Sequence, residues 1–402
     1  MNVPKLRFKE FNDKYNITKV SEIIDVIDGD RGNNYPKAND FYDSEFCLFL
    51  NAGNVTKNGF NFKNNQFITK EKDKKLRKGK LLINDIVLTT RGTVGNIAWF
   101  NEKTPYKNIR INSGMVINRI KESGHLLPEY LYSYMKSPVF ENQVNKMNYG
   151  SAQPQLTVSG INKFNIQYPT INEQKKVSTI MLLLDKKIEL QSKKIEDLKL
   201  FKKGLLILKL SNKVKNIKLE EIIKKGKAGG TPKSTVQKYY DGTIPFLSIS
   251  DISSQNKYIK YTEKCISEEG LNNSSTWLVP KNSIILSMYA SYGLPCINKI
   301  ELATSQAMYS MIFKDDIDVE FIYYYLYYLQ QINYYDRFVS TGTQSNLNAE
   351  KVNKIKIYCP NYDIQKNISK LFVSCDRKIL FEENKLLKLQ ELKKGLMQSM
   401  FV

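Results

Sequence analysis

Residues 169–205 read PTINEQKKVSTIMLLLDKKIELQSKKIEDLKLFKKGL, and residues 360–396 read PNYDIQKNISKLFVSCDRKILFEENKLLKLQELKKGL. Laid over one another at an offset of 191 positions, Pro169 meets Pro360, Gln174-Lys175 meets Gln365-Lys366 and Asp185 meets Asp376. Lys187-Ile188 then meets Lys378-Ile379, and Lys202-Lys-Gly-Leu205 meets Lys393-Lys-Gly-Leu396. The match runs upstream without a gap, placing Gln153-Pro-Gln-Leu156 on Gln344-Ser-Asn-Leu347 and Asn162-Lys163 on Asn353-Lys354. Repetition on this scale governs every other reading, because the fold is then one supersecondary plan used twice.

Further upstream the halves still align, but the offset drifts. Asn84 to Gly95 falls on Asn282 to Gly293 at an offset of 198; Val20-Ser-Glu-Ile23 falls on Leu219-Glu-Glu-Ile222, and Pro36-Lys37 on Pro232-Lys233. Duplication followed by uniform drift would spread the differences evenly. Here they concentrate in the N-terminal part of each half, the pattern expected of two recognition modules that read different things.

The repeated stretch carries its own architecture. Val177, Met181, Leu184, Ile188, Ile195, Leu198 and Leu205 recur at spacings of three and four, as do Ile368, Phe372, Cys375, Ile379, Leu386, Leu389 and Leu396. That is the seam of a coiled coil. Gln191 and Glu382 interrupt both seams at one point, and a polar residue there commonly sets register. Ahead of each helix lies a mixed α/β region. Strands are expected at Glu45–Leu50, Asp85–Thr90, Gly114–Ile120, Ser283–Ser287 and Ala307–Phe313, with helices at Pro128–Lys136 and Val319–Gln330. The tyrosine-rich run Phe321–Leu329 is read as core at helical spacing.

Connectivity completes the expectation. About 35 helical residues span roughly 50 Å, more than the breadth of a domain of about 150 residues. The second α/β region therefore begins far from the first, and a second helix packed seam to seam returns antiparallel. The expected fold is mixed α/β (α+β): two globular domains, residues 1–168 and 211–360, separated by two long antiparallel coiled-coil helices, residues 169–210 and 361–402, with a pseudo-two-fold internal repeat.

Composition limits the function. Sixty-one Lys and Arg against 40 Asp and Glu give a net charge of +21, which attracts a polyanion through Coulomb attraction and counterion release. No apolar run approaches the length of a membrane span, and Met1 to Phe11 lacks a signal-peptide core. The five scattered cysteines form no C-x-x-C pair, which indicates reduced, cytoplasmic thiols and no zinc site. There is no phosphate-binding loop, no glycine-rich cofactor loop and no Asn-Pro-Pro-Tyr methyltransferase motif. The one histidine, His125, has no second histidine to pair with. Asp185-Lys-Lys187 and Asp73-Lys-Lys75 resemble the tail of a nuclease motif but lack a supporting carboxylate. Neither a catalytic site nor a metal site is expected.

Several motifs recur in order in both halves. The chain opens with Pro4-Lys-Leu-Arg-Phe8, Gly229-Gly-Thr-Pro232 enters the second α/β region, and Gly342–Leu347 recurs as Gly150–Leu156 with one extra residue. Each is followed by Pro–x4–Gln and Asp–x–Lys–Ile on a long helix. In these features the whole chain resembles the specificity subunit of a type I restriction-modification system. The resemblance implies two target recognition domains, each reading one half of a bipartite, asymmetric site in double-stranded DNA. It implies helices that set the spacer and dock two methyltransferase (modification) subunits, to which restriction (motor and nuclease) subunits are added. S-adenosylmethionine, ATP and Mg2+ would belong to those partners, leaving no cofactor in this chain. Gly32-Asn-Asn-Tyr-Pro36 departs from the Gly-Gly-Thr-Pro pattern, which weakens transfer of contacts to the first half.

Sequence readers in DNA are Arg or Lys toward guanine and Asn or Gln toward adenine, with other polar groups on phosphate. Loop residues of these types in the first half are Arg31, Asn33, Asn34, Lys57, Arg91, Thr93, Arg110 and Gln153. Those in the second are Thr231, Lys233, Ser250, Tyr289, Ser291, Tyr292, Gln306, Thr343 and Gln344. Arg91 stands out, since it opens a Gly-flanked turn after a strand and its counterpart is Tyr289; an ordinary surface arginine over a tight turn is the competing reading. The turn glycines are expected to serve positive φ. Two other functions remain open: a stand-alone nuclease or methyltransferase with an unrecognised site, and an RNA-binding coiled-coil adaptor.

Overall fold

The computed structural model describes residues 3–122, 124–148, 155–211, 213, 214, 217–289, 291–338 and 347–402. They form two compact units, one made of Met1–Ser192 with Asn384–Val402 and the other of Lys193–Glu383. The long helices run unbroken over Ile171–Leu210 and Tyr362–Met400. Each long helix therefore contributes one stretch to each unit, whereas the sequence reading sets each helix apart as a segment of its own.

In the first unit a four-stranded antiparallel sheet has the order Ile24–Asp28, Met115–Ile120, Ile86–Thr89, Ile97–Trp99. The period-two alternation of a strand sends Ile86 and Leu88 toward the helix Pro128–Met135, and Val87 toward a smaller sheet. Both faces are covered, which is why Ile86-Val-Leu88 reads as an unbroken apolar run. The smaller sheet centres on Cys47–Phe49, with Phe67–Ile68 antiparallel on one side and Ile109–Arg110 parallel on the other.

The second unit repeats the plan with one more strand. Its sheet has the order Ile223–Ala228, Met308–Phe313, Ile284–Ser287, Pro295–Asn298, Tyr258–Ile259. Ile284 and Leu286 pack under the helix Val319–Gln331, while Ile285 packs toward a small sheet containing Ile244–Leu247 and Ala303–Thr304. Tyr324 and Tyr325 are fully buried, so the tyrosine run is core.

The framework motifs now have physical meanings. Asn84 (φ 76°) and Asn282 (φ 65°) hold the same left-handed position. Their backbone N–H groups donate to Phe100 and Asn298 carbonyls, each at 2.7 Å. The glutamine of Pro–x4–Gln is a clamp. Gln174 accepts from the Leu127 N–H (2.9 Å) and donates to the His125 and Pro169 carbonyls (2.8 and 2.9 Å). Gln365 accepts from the Asp318 N–H (2.9 Å) and donates to the Pro360 carbonyl (2.7 Å). Each fixes the entry to the shorter helix against the start of the long one.

Within each unit an early stretch of one long helix lies against a late stretch of the other, so the pairing is antiparallel. In the first unit Asp185 accepts from Lys393, and Lys136 reaches the same carboxylate at 3.4 Å. Met397, Met400 and Phe401 complete the core around Tyr130 and Tyr134. In the second, Asp376 accepts from Lys202 and the Tyr324 hydroxyl, both at 2.5 Å, and Leu206 and Leu210 join the core around Phe372. Of the expected seam, Val177, Ile379 and Leu389 are buried, while Leu184, Ile188, Leu198, Ile368 and Cys375 are half-buried. Gln191 and Glu382 are buried too, and Glu382 accepts from Lys194 (2.8 Å) and Lys378 (3.0 Å).

Candidate nucleic-acid interface

Strand register gathers the candidate loops of the first unit at one end of its sheets. Val116 pairs with Asp28, Met115 with Thr89 and Ile97 with Leu88. The loops that follow Asp28 and Thr89 and precede Met115 and Ile97 therefore share an end. In the smaller sheet the parallel pairing of Phe49 with Arg110 sends residues 51–58 and 111–114 out on one side. Arg31, Asn33, Asn34, Arg91 and Thr93 are exposed there. Lys57 is exposed at the tip of a hairpin held beside this end by Asn96, which donates to the Val55 carbonyl at 3.0 Å.

These residues differ in freedom. The Arg31 guanidinium lies 3.0 Å from Asp28 and donates to the Ser113 carbonyl at 3.2 Å. Asn34 donates to the Lys75 carbonyl at 3.3 Å. Asp30 braces the loop by accepting from the Gly32 and Arg77 N–H groups at 2.9 and 2.7 Å. The Gly32 bond, with burial acting against it, holds the Asp30 carboxyl below its usual range. Arg91 meets the Gln155 side-chain amide; with the amide turned so that its oxygen faces the guanidinium, the orientation that satisfies both groups, that oxygen accepts from Nε and Nη2 at 3.2 and 2.8 Å.

Arg110 departs from expectation. It is buried, and its guanidinium donates to Asp73 Oδ1 (2.6 Å) and to the Asp73, Lys78 and Leu76 carbonyls (2.8, 2.7 and 3.1 Å). It closes the loop 73–78 over the sheet and has no edge left for a base. The same pair accounts for Asp73-Lys-Lys75, since Asp73 also takes Lys80 at 2.5 Å. Asp185-Lys-Lys187 is likewise a structural ion-pair site.

The second unit presents the equivalent end. Ala228 pairs with Tyr309, Ser287 with Met308 and Leu286 with Pro295. Thr231, Lys233, Tyr289, Ser291 and Gln306 are exposed on its loops. Ser250 is exposed beyond Leu247, which pairs in parallel with Thr304 and so opens toward the same end. The Tyr292 hydroxyl donates to Asp336 at 2.9 Å, a bond that holds its pKa above the usual phenol value. Gln153, Thr343 and Gln344 lie outside the described residues.

The two ends share one circuit. Thr90 N–H donates to the Gly114 carbonyl (2.8 Å) and Leu156 N–H to the Thr90 carbonyl (3.1 Å); Met288 N–H donates to Ala307 (2.8 Å) and Leu347 N–H to Met288 (3.0 Å). Gly92, Gly95 and Gly293 do have positive φ, of 70°, 93° and 80°. Gly229 serves another purpose, because a Cβ there would lie 2.2 Å from the Thr304 carbonyl oxygen. Close backbone approach, rather than left-handed geometry, demands that glycine.

Residues 12–200 and 211–391 each match the family model described as the type I restriction modification DNA specificity domain. The chain belongs to this family. It carries the specificity domain twice, as its internal repeat requires. Similar specificity-domain proteins include the type I restriction enzyme MjaIX specificity subunit of Methanocaldococcus jannaschii, 29% identical over 143 residues, or 35% of this chain and 33% of that protein. The HindI specificity subunit of Haemophilus influenzae is 31% identical over 153 residues, 38% of this chain and 33% of that protein. The chain thus covers about a third of the length of the curated relatives it matches. The crystal structure of a type I restriction-modification system S subunit from M. genitalium superposes with a TM-score of 0.61 at 16% identity, over 100% of this chain and 99% of that one. A structure described by complex assembly and conformational transition of the type I R-M system gives 0.60 at 14%, over 96% and 97%. At these identities the likeness is one of fold.

The specificity-domain chain holds no cluster of three or more His, Cys, Asp or Glu suited to a metal among the described residues. Among the same residues no helix is long and apolar enough to cross a membrane. Its long helices carry exposed apolar residues that the repeat pairs: Leu190 with Phe381, and Phe201 with Leu392. On each helix the two lie eleven residues apart, about three helical turns. Sequence reading missed these residues, because exposure on a helix of mixed polarity follows only from knowing what covers it. Gln155 belongs to a stretch the sequence offers as a phosphate-contacting loop, but its contact with Arg91 is visible only in the fold.

Proposed function

We propose that this chain is the non-catalytic DNA-specificity subunit of a type I restriction-modification complex. Each specificity domain reads one half of a bipartite, asymmetric target in double-stranded DNA, and the long helices set the gap between halves. The observation that carries the reading is the twofold occurrence of one loop-bearing sheet end on a common hydrogen-bond circuit, with different side chains on each copy. A shared frame with different readers is what an asymmetric target demands. The charge of +21 supplies the sequence-independent attraction to phosphate.

The exposed apolar residues of the long helices fall by unit as Leu190 with Leu392 and Phe201 with Phe381, one repeat-equivalent set in each unit for each of two methyltransferase subunits. S-adenosylmethionine would reside on those subunits. ATP and Mg2+ would serve restriction subunits joined to them. The working compartment is the cytoplasm, where the DNA and the reduced thiols belong.

The test is to map methylated bases in DNA from cells with and without this chain, its partner subunits present in both. Two short sequences at a fixed separation, modified only when the chain is present, are expected. Methylation or cleavage by the purified chain alone would overturn the proposal.

A further inference from the structure

We infer that Arg91 is a pre-oriented fork for a guanine in the half-site of the first specificity domain, and that Gln155 is the residue that positions it. This rests on the DNA-reading function proposed above. A guanidinium has five N–H donors in a fixed plane. Gln155 occupies the side edge, accepting from Nε and Nη2 at 3.2 and 2.8 Å. The end edge, Nη1 with the outer hydrogen of Nη2, keeps two parallel donors. That edge matches O6 and N7 of guanine in the major groove.

The nature of the partner matters as much as the geometry. Arg7, Arg31, Arg110 and Arg119 each give their guanidinium to a carboxylate, those of Glu173, Asp28, Asp73 and Asp85. Such pairs cancel the charge that a DNA contact uses. A neutral amide holds Arg91 in place and leaves its charge intact. The hold is itself anchored, since Leu156, next to Gln155, is buried and its N–H donates to the Thr90 carbonyl at 3.1 Å. Holder and reader therefore ride on the end of one strand, and the arginine is ordered before DNA arrives. Beside it, Gly92 has nothing within 4 Å of where a Cβ would stand, so the approach is open.

The second domain provides an internal control. Its circuit is the same, but Tyr289 stands at the position of Arg91 and is exposed. A tyrosine offers no bidentate fork, so the two half-sites differ in how this position is read.

The chain in complex with its methyltransferase subunits would select from a randomised duplex DNA library, followed by sequencing. The wild type is expected to enrich two half-sequences, one with a G·C pair that Arg91→Ala and Arg91→Lys relax about 5- to 150-fold. Gln155→Ala should weaken that position alone, whereas Gln155→Glu, which keeps the two acceptor bonds but offsets the guanidinium charge, should keep the G·C preference while lowering affinity for every sequence. The other half-sequence, sensitive to Tyr289→Ala, should be unchanged in all four variants, which also reports that they fold. If the Arg91 variants weaken every sequence equally, the residue holds phosphate and the inference fails. It fails too if a motif is enriched and remains unaltered, or if the affected position is not G·C. A wild type that enriches no sequence overturns the specificity-subunit reading, and this inference with it.

Discussion

Breaking the ion pair between Asp73 and Arg110 should cost the first unit about 3–5 kcal/mol, since each partner would leave the other's charge buried. Asp73→Asn, followed by urea unfolding, measures this directly; a loss under 1 kcal/mol would mean that the pair is not a brace. Burial alone would raise the Asp73 carboxyl, but hydrogen bonds from Lys80 and Arg110 prevail and hold it below its ordinary value. The carboxylate's contribution is therefore complete above the unfolded value, near pH 4, and is lost as pH falls through the lower folded value. Wild-type stability should decline below about pH 4 with a component that Asp73→Asn lacks. Arg110 and Arg91 look alike in sequence, each a loop arginine near a strand. A carboxylate 37 residues away in the chain neutralises one, and an amide 64 residues away leaves the charge of the other uncompensated.

On the scale of elements, the long helices present two faces of different character. One face is the seam, whose spacing of three and four was legible because helical geometry repeats it along the chain. The other carries Phe381 and Leu392, 61% and 51% exposed, with repeat partners Leu190 and Phe201 at 55% and 59%. Apolar groups this exposed, recurring on both copies, fit docking by two like subunits. Phe201→Glu with Phe381→Glu, both in the second unit, should reduce the number of bound methyltransferase subunits from two to one, measured by native mass spectrometry. An unchanged count of two would place docking elsewhere. The strands were equally legible: Ile86–Thr89, Met115–Ile120 and Ile284–Ser287 lie within one residue of expectation at each end. Their apolar runs are long enough to be sheet core and too short for helix.

For the molecule as a whole, the shared helices carry the functional claim. If they set the gap between half-sites, four residues inserted into Ile171–Leu210 should change the spacer and leave both half-sequences intact. Methylation mapping reads the result, and altered half-sequences, or loss of all spacing preference, would defeat the ruler. The structure divides each long helix between two compact units, a sharing that a list of consecutive segments does not contain. It arises because the seam of each helix is buried against a different partner along its length.

The duplication, the seam and the strands were determined by the sequence, since each is a pattern along one dimension that local geometry reads directly. So was the family, through motifs whose order and spacing survive in both halves. The tertiary structure decided which polar residues are spent. It buried Arg110, left Arg91 on an amide, gave Asp185 and Asp376 to lysines of the opposite helix, and turned Gln174 and Gln365 into clamps. A charged side chain's availability depends on partners brought close by the fold, and separation along the chain carries no record of them.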